Sequence, residues 1–267
     1  MQYALRPLSV SELLDRTFTF YRNHFVLFLG IAALPNLLPL VLSLALIVAR
    51  PSSLNFVFLI VSTILTGFMY FVMAALSQGA TIIAVSRIQL DQPASIGESF
   101  SAIRHRLGGL VLLSLNVGIR VGLGCLLLLV PGIILGLMYA LAVPVFVLEE
   151  RGGSASLSRS SQLTKGHRGR IFLIYFLLIV LAVIISLVWQ APMTTALVLG
   201  GIRSPESVVW YQVASQFAGL LTRSLVGPVM TIALALMYYD ERVRKEAFDL
   251  EHMMRQIDGL KPAAPTA

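Results

Sequence analysis

The chain has 267 residues, of which 57% are hydrophobic and 12% charged, and a formal net charge of +7. A soluble domain carries about 25% charged residues, so this composition excludes an ordinary soluble enzyme of one or two domains. The single cysteine, Cys125, excludes an intramolecular disulfide and offers no basis for a zinc or thiol centre.

In chain order, the first 24 residues hold Arg6, Glu12, Asp15, Arg16 and Arg22. They contain no apolar signal-peptide core, and the apolar stretch from Phe25 is expected to stay in the protein as a span. Ser9-Val10-Ser11-Glu12 has the pattern of a capping box. Leu14, Phe18, Tyr21 and Phe25 then follow at helical spacing, which predicts an amphipathic helix ahead of the first span. A membrane-spanning helix needs about 20 apolar residues. Six spans are expected on that criterion: Phe25–Ala49, Phe56–Ser86, Leu107–Val130, Ile133–Leu148, Ile171–Trp189 and Thr222–Tyr239. The uncharged runs enclosing the second and fifth exceed one bilayer crossing, so a break at Gly79 or Pro192, a tilt, or an extension is expected. Pro131-Gly132 reads as the tight turn between the third and fourth spans.

Lys and Arg are strongly one-sided. With the N-terminus placed inside, the inner segments hold Arg6, Arg16, Arg22, Arg87, Arg104, Arg106, Arg151, Arg159, Lys165, Arg168, Arg170, Arg242, Arg244, Lys245, Arg255 and Lys261. The outer segments hold only Arg50 and Arg203. The positive-inside rule then places both termini in the cytoplasm of a cell whose inner membrane holds the protein. The basic segments suit anionic lipid headgroups, and without a recognisable binding fold they do not point to nucleic acid.

The inner segments ahead of the odd-numbered spans share a design. Ser95-Ile96-Gly97-Glu98 repeats the capping-box pattern and leads to Arg104-His105-Arg106. Ser154-Ala155-Ser156-Leu157 is a looser third copy leading to Lys165, Arg168 and Arg170. The expected organisation is one membrane domain, 1–259, in which an amphipathic helix plus a membrane hairpin occurs three times, over 8–90, 94–150 and 153–239. The bland alternative is that basic residues precede any inward-starting span. Beyond Tyr239, Asp240 with Arg244, Glu241 with Lys245 and Glu251 with Arg255 have the favoured i,i+4 spacing. Val243, Ala247, Leu250, Met254 and Ile257 form an apolar stripe. A cytoplasmic helix over 240–259 is expected to continue out of the last span, with a disordered tail over 260–267.

Four segments together resemble the bacterial glycerophosphodiester phosphodiesterase membrane-domain family and related multi-span proteins of unknown function. They are Leu5-Arg6-Pro7-Leu8-Ser9 with Glu12-Leu13-Leu14-Asp15; Val130-Pro131-Gly132-Ile133-Ile134-Leu135; Pro144 to Glu149 with Leu163-Thr164-Lys165-Gly166; and Tyr238-Tyr239-Asp240 with Arg242-Val243-Arg244-Lys245-Glu246. The resemblance covers nearly the whole chain and implies a helical membrane bundle. Longer members of that family add a soluble phosphodiesterase barrel, for which this chain has no room beside its spans, since such a barrel takes about 250 residues. His167-Arg168-Gly169 matches a motif of that barrel but sits at a membrane junction without a carboxylate cluster, so it is expected to be a basic anchor.

No phosphate loop, dinucleotide fingerprint or HExxH motif occurs, and no catalytic residue, cofactor or metal is expected. His24, His105, His167 and His252 all lie in or beside inner segments. The sharpest candidates are Arg120 and Arg223, because an ionisable residue at membrane depth usually faces a cavity or a partner. With Asn116 they are candidates for a lipid phosphate or an anionic solute. The competing expectation is that Arg120 merely pairs with Asn116 and that Arg223 marks a break ahead of the last span. Asn36 and Gln78 are candidates for polar cavity lining, or for bonds across helices. The leading expectation is an all-α, polytopic, non-enzymatic inner-membrane protein with a structural, lipid-interacting or complex-assembly role, whose partners are phospholipids, other membrane proteins or a second copy of itself. The alternatives are a small permease with a cavity near Arg120 and Arg223 and, last, an enzyme acting on lipid headgroups.

Overall fold

The structure, a computed structural model, describes residues 8–49, 56–200 and 205–259. The described residues fold into helices only: α1 (Val10–Asn23), α2 (Phe25–Val48), α3 (Phe56–Gln89), α4 (Ile96–Arg104), α5 (Leu107–Leu127), α6 (Leu129–Met138), α7 (Ala142–Leu148), α8 (Gly153–Thr164), α9 (Arg168–Gly200) and α10 (Pro205–Gly259). Six stretches among them are long and apolar enough to cross a membrane: Phe25–Val48, Phe56–Gln89, Leu107–Leu127, Leu129–Leu148, Arg168–Ala196 and Val208–Glu246. Large apolar side chains stand exposed along them, such as Ile64, Leu112, Phe176 and Val188. On a multi-pass membrane protein these faces meet lipid, which needs no further partner.

The short helices α1, α4 and α8 each precede a pair of apolar stretches. Their caps differ. Ser9 and Glu12 form the full reciprocal box on α1. Ser95 caps α4 through the Glu98 amide at 3.3 Å, but the Glu98 carboxylate turns to Arg87 at 2.5 Å. The third copy has no serine cap, because α8 starts after Gly152. None of the three lies free on a membrane surface. Leu13, Thr17 and Phe20 of α1, Ser99 and Ile103 of α4, and Ser156, Leu157, Ser160 and Leu163 of α8 are buried. Small residues make that docking possible. Under α4, a Cβ on Gly79 would come 2.8 Å from Ile103, and one on Gly30 would come 2.5 Å from Ile96.

Several boundaries differ from expectation, each for a physical reason. The turn between the third and fourth spans is not at Pro131-Gly132 but at Leu128, a single extended residue between α5 and α6. Pro131 occupies the first turn of α6, where a missing N–H costs nothing. Gly132 serves packing: a Cβ there would lie 2.6 Å from the Cys125 backbone nitrogen, so only glycine lets α5 and α6 approach this closely. The fourth span is two helices, broken over Tyr139–Leu141. The last apolar helix begins at Pro205 rather than Thr222. Gly79 and Pro192 break nothing, since α3 and α9 run through them. α10 continues without interruption through Tyr239 to Gly259, 55 residues or about 80 Å. Arg50 and Arg203, taken as the outer basic residues, and the tail over 260–267 lie outside the described residues, as do the Glu251 and Arg255 side chains.

The break in the fourth span is stabilised by α8. Ser160 Oγ accepts from the Leu141 amide at 3.2 Å and donates to the Met138 carbonyl at 2.9 Å. Thr164 also donates to Met138, at 3.4 Å. Groups orphaned where the helix ends would otherwise be buried unpaired. The same one-turn spacing that places Ser156, Ser160 and Thr164 in a column gives α8 a hydroxyl face, which its weakly apolar sequence disguises.

Candidate functional site

One end of the bundle gathers charge. Asp240 and Glu241 emerge from α10 and are both buried. The Arg170 guanidinium sits against Asp240, lies 3.3 Å from Glu241 Oε1, and donates to the Leu8 carbonyl at 2.8 Å. Arg244 donates to Asp240 at 2.9 Å and to the same Leu8 carbonyl at 2.5 Å. The Leu8 amide donates to Asp240 Oδ1 at 2.7 Å. His167 Nδ1 stands 2.6 Å from Glu241 Oε2. A second group surrounds Glu149, which accepts from Tyr238 at 3.0 Å and pairs with Arg151 at 2.7 Å and Arg159 at 3.3 Å. Arg159 also reaches Glu246, and Lys245 donates to the Gln162 and Lys165 carbonyls. These bonds tie the segment entering α1, the end of α7, the α8–α9 turn and α10 into one knot. Gly166 makes that turn with φ +91°, a conformation that favours glycine.

Sequence spacing anticipates the Asp240–Arg244 pair but not the rest. Glu241 turns to Arg170 and His167, and Lys245 to carbonyls. Buried Asp240 and Glu241 are matched by arginines and a clamped backbone, an arrangement that fixes where the chain segments meet. Tyr21, on α1, keeps a buried hydroxyl without a hydrogen-bond partner, and burial pushes its phenol up from the usual tyrosine range. Among the described residues no group of three or more His, Cys, Asp or Glu is placed to hold a metal ion.

A different environment lies deeper in the spans, between α2, α3 and α10. One cavity of about 500 Å³ is lined by Ser43, Ser62, Thr63, Thr66, Tyr70, Gln212, Ser215, Gln216 and Arg223 together with apolar residues. A second, of about 440 Å³, is lined by Asn36, Ser77, Gln78, Ser114, Thr222, Arg223, Thr231 and apolar neighbours. Both volumes fall within the roughly 300–1,000 Å³ of small-molecule sites. Arg223 lines both. It lies 17 residues before Asp240 on one continuous helix, about 25 Å from the charged end, against a hydrocarbon core about 30 Å thick. Its guanidinium lies over the Tyr70 ring, 4.2 Å from the centroid, a cation–π contact. Gly219, one turn earlier, leaves it room: a Cβ there would meet Arg223 Nη2 at 3.2 Å.

The second cavity also holds polar atoms with nothing to bind. Asn36 is 5% exposed and donates through Nδ2 to the Ala32 carbonyl at 2.7 Å, while its Oδ1 has no partner. Ser114 Oγ and Thr222 Oγ1 are likewise buried and unpartnered. Buried polar atoms without partners are rare and costly.

The candidates therefore separate. Arg223, Asn36 and Gln78 converge on the second cavity, and α10 has no break at Arg223. Arg120 and Asn116 line neither cavity. On α5, Arg120 Nε donates to Asn116 Oδ1 at 2.8 Å, and the guanidinium lies 5.8 Å from the Tyr139 ring centroid, with Nη1 3.3 Å from the Tyr139 hydroxyl. Neither of these two cavities is lined by both arginines. The residues that sequence reasoning missed are Tyr70, Ser114 and Thr222. Thr222 and Arg223 are adjacent, and Tyr70 lies two turns before Gln78 on α3, but only the fold brings them together. No protein-family model, curated protein or solved structure matches this chain.

Proposed function

We propose that this is a non-enzymatic inner-membrane protein of bacterial type, with both termini cytoplasmic, which binds a phosphate-bearing anionic ligand between α2, α3 and α10. One observation carries the reading: the Arg223 guanidinium, at membrane depth, lines two polar cavities and has an aromatic ring rather than a carboxylate for its neighbour. An arginine so placed is expensive unless a cavity or an anion compensates it, and a guanidinium matches phosphate bidentately. Lipid phosphate is the abundant anion of that environment, which accords with a lipid-interacting role. The resemblance to the phosphodiesterase membrane domains accords with a bundle that lacks hydrolytic machinery.

Binding is favoured over passage by what lies between the cavities and the charged end. Phe28, Ile31, Ile82, Val85 and Tyr238, nearer the charged end on the same three helices, are fully buried. The orientation rests on the basic residues at the end that carries the knot. It requires that a cysteine at Gln92, in the exposed α3–α4 connection, label only from the cytoplasmic side in a Cys125→Ser background.

Native mass spectrometry of the protein released from nanodiscs of mixed anionic and zwitterionic lipid tests the binding reading. Wild type should retain anionic lipid, and Arg223→Leu should lose that retention at least tenfold. Equal retention by both proteins would refute it.

A further inference from the structure

The two cavities differ in what they can bind. The outer one offers the guanidinium and a ring of hydroxyls and amides. The inner one adds an acceptor held in place: the Asn36 amide is fixed by its own donation to Ala32, and Oδ1 is left over in a side chain 95% buried. Ser114 and Thr222 contribute two more buried oxygens without partners. Such atoms call for a molecule that brings hydrogen-bond donors with it. No aspartate or glutamate lines either cavity. A buried ammonium group would find no countercharge there and would bear its desolvation uncompensated. A hydroxyl group needs none: it donates to Asn36 Oδ1 and exchanges bonds with Ser114 and Thr222.

We infer that the inner cavity is the selectivity half of one two-part site, and that the ligand is a hydroxyl-bearing (polyol) phosphate whose phosphate sits on Arg223 and whose hydroxyls reach Asn36, Ser114 and Thr222. The inference rests on the binding reading above and sharpens it. Arg223 supplies affinity for any phosphate anion. Asn36 decides between a headgroup that donates hydrogen bonds and one that does not, because a site with unpaired buried acceptors rejects the analogue that cannot pair them. The polyol phosphate can be a lipid headgroup or its free counterpart.

The test compares two anionic lipids of equal charge: phosphatidylglycerol, with two free hydroxyls, and phosphatidylmethanol, with none. Nanodiscs holding equal amounts of each, within a zwitterionic background, are dissociated and the retained lipid is counted by native mass spectrometry. Wild type should retain phosphatidylglycerol at least fivefold over phosphatidylmethanol. Asn36→Leu and, independently, Thr222→Val should bring the ratio towards one while still retaining anionic lipid. Arg223→Leu should retain neither. A wild-type ratio near one, together with no adduct in the parallel arm below, would overturn the polyol assignment and leave the phosphate reading standing, and this measurement needs no variant to fold. Retention untouched by Arg223→Leu would remove the phosphate reading itself. In a parallel arm, millimolar glycerol phosphate is added to the protein in the same mixed nanodiscs. An adduct that forms there and displaces phosphatidylglycerol assigns the site to the free compound, and lipid retention unaffected by it assigns the site to the headgroup. Absence of both the lipid preference and the adduct would overturn the inference.

Discussion

The charged end and the cavity region both hold ionised side chains within the bundle, yet they surround them in opposite ways. At the charged end, buried Asp240 and Glu241 are met by Arg170, Arg244, His167 and the Leu8 amide, and Arg170 and Arg244 share the Leu8 carbonyl. Along α10, Arg223 has a ring for company, and Asn36, Ser114 and Thr222 nearby keep unpartnered atoms. A network that satisfies itself fixes a conformation and asks for no ligand. A site that leaves strong groups unsatisfied has its stabilising partner elsewhere. On this contrast we propose architecture for the knot and binding for the cavities, although the knot has by far the more charged residues.

The knot is the place to break this contrast most forcefully. Arg170 touches Asp240, Glu241 and the Leu8 carbonyl, with only 15% of its side chain exposed. Arg170→Met leaves two buried carboxylates short of a cation, a change worth roughly 3–5 kcal/mol. Thermal unfolding in detergent should show a large fall in midpoint. Arg170→Lys should recover only part of it, because a point charge cannot serve three acceptors in a fixed fork. A midpoint within a degree of wild type for Arg170→Met would mean that the knot is not structural.

A smaller effect is expected at the α6–α7 break, where satisfaction is by hydroxyl rather than by charge. Ser160→Ala removes the acceptor of the Leu141 amide and one donor to the Met138 carbonyl. The cost should be about 1–3 kcal/mol, that of leaving buried backbone groups unpaired. Ser160→Thr keeps the hydroxyl and should retain most of the stability if the added methyl is accommodated. Thermal unfolding of the two variants checks the pair, and equal midpoints would show that the bonds are not needed to hold the break.

Apolar length made the spans legible, because the bilayer imposes it on each helix separately. The Ser9–Glu12 box and the unbroken run of α10 beyond Tyr239 were readable for the same reason: they depend on residues within a few positions. The turn at Leu128 was not, because leucine gives no turn signal and the nearby Pro131-Gly132 gives a strong one. Glycine there answers to packing across a hairpin, a requirement set by Cys125 seven positions away. The knot was hidden because Arg170 and Asp240 are 70 residues apart, and the i,i+4 spacing within α10 suggested a local partner for Glu241. Arg223, Asn36 and Gln78 stood out individually as polar residues in apolar stretches. Their convergence did not, since hydropathy gives the depth of a residue and not the side of the helix on which it stands.

Arg120 shows the consequence and supplies the sharpest control. It has the same residue type and the same apolar surroundings in sequence as Arg223, but its partner is on its own helix. Asn116 is one turn earlier and accepts from Nε, and Tyr139 lies beside the guanidinium. Side-chain hydrogen bonds within membrane bundles are worth about 0.6 kcal/mol on average. Arg120→Leu exchanges that bond for lipid-compatible apolar surface, so the midpoint of thermal unfolding should move by little in either direction. Retention of anionic lipid should stay within twofold of wild type, whereas Arg223→Leu loses it. If Arg120→Leu abolished retention as completely as Arg223→Leu, an arginine that lines neither cavity would be controlling the ligand, and the division between satisfied and unsatisfied groups would no longer separate architecture from binding.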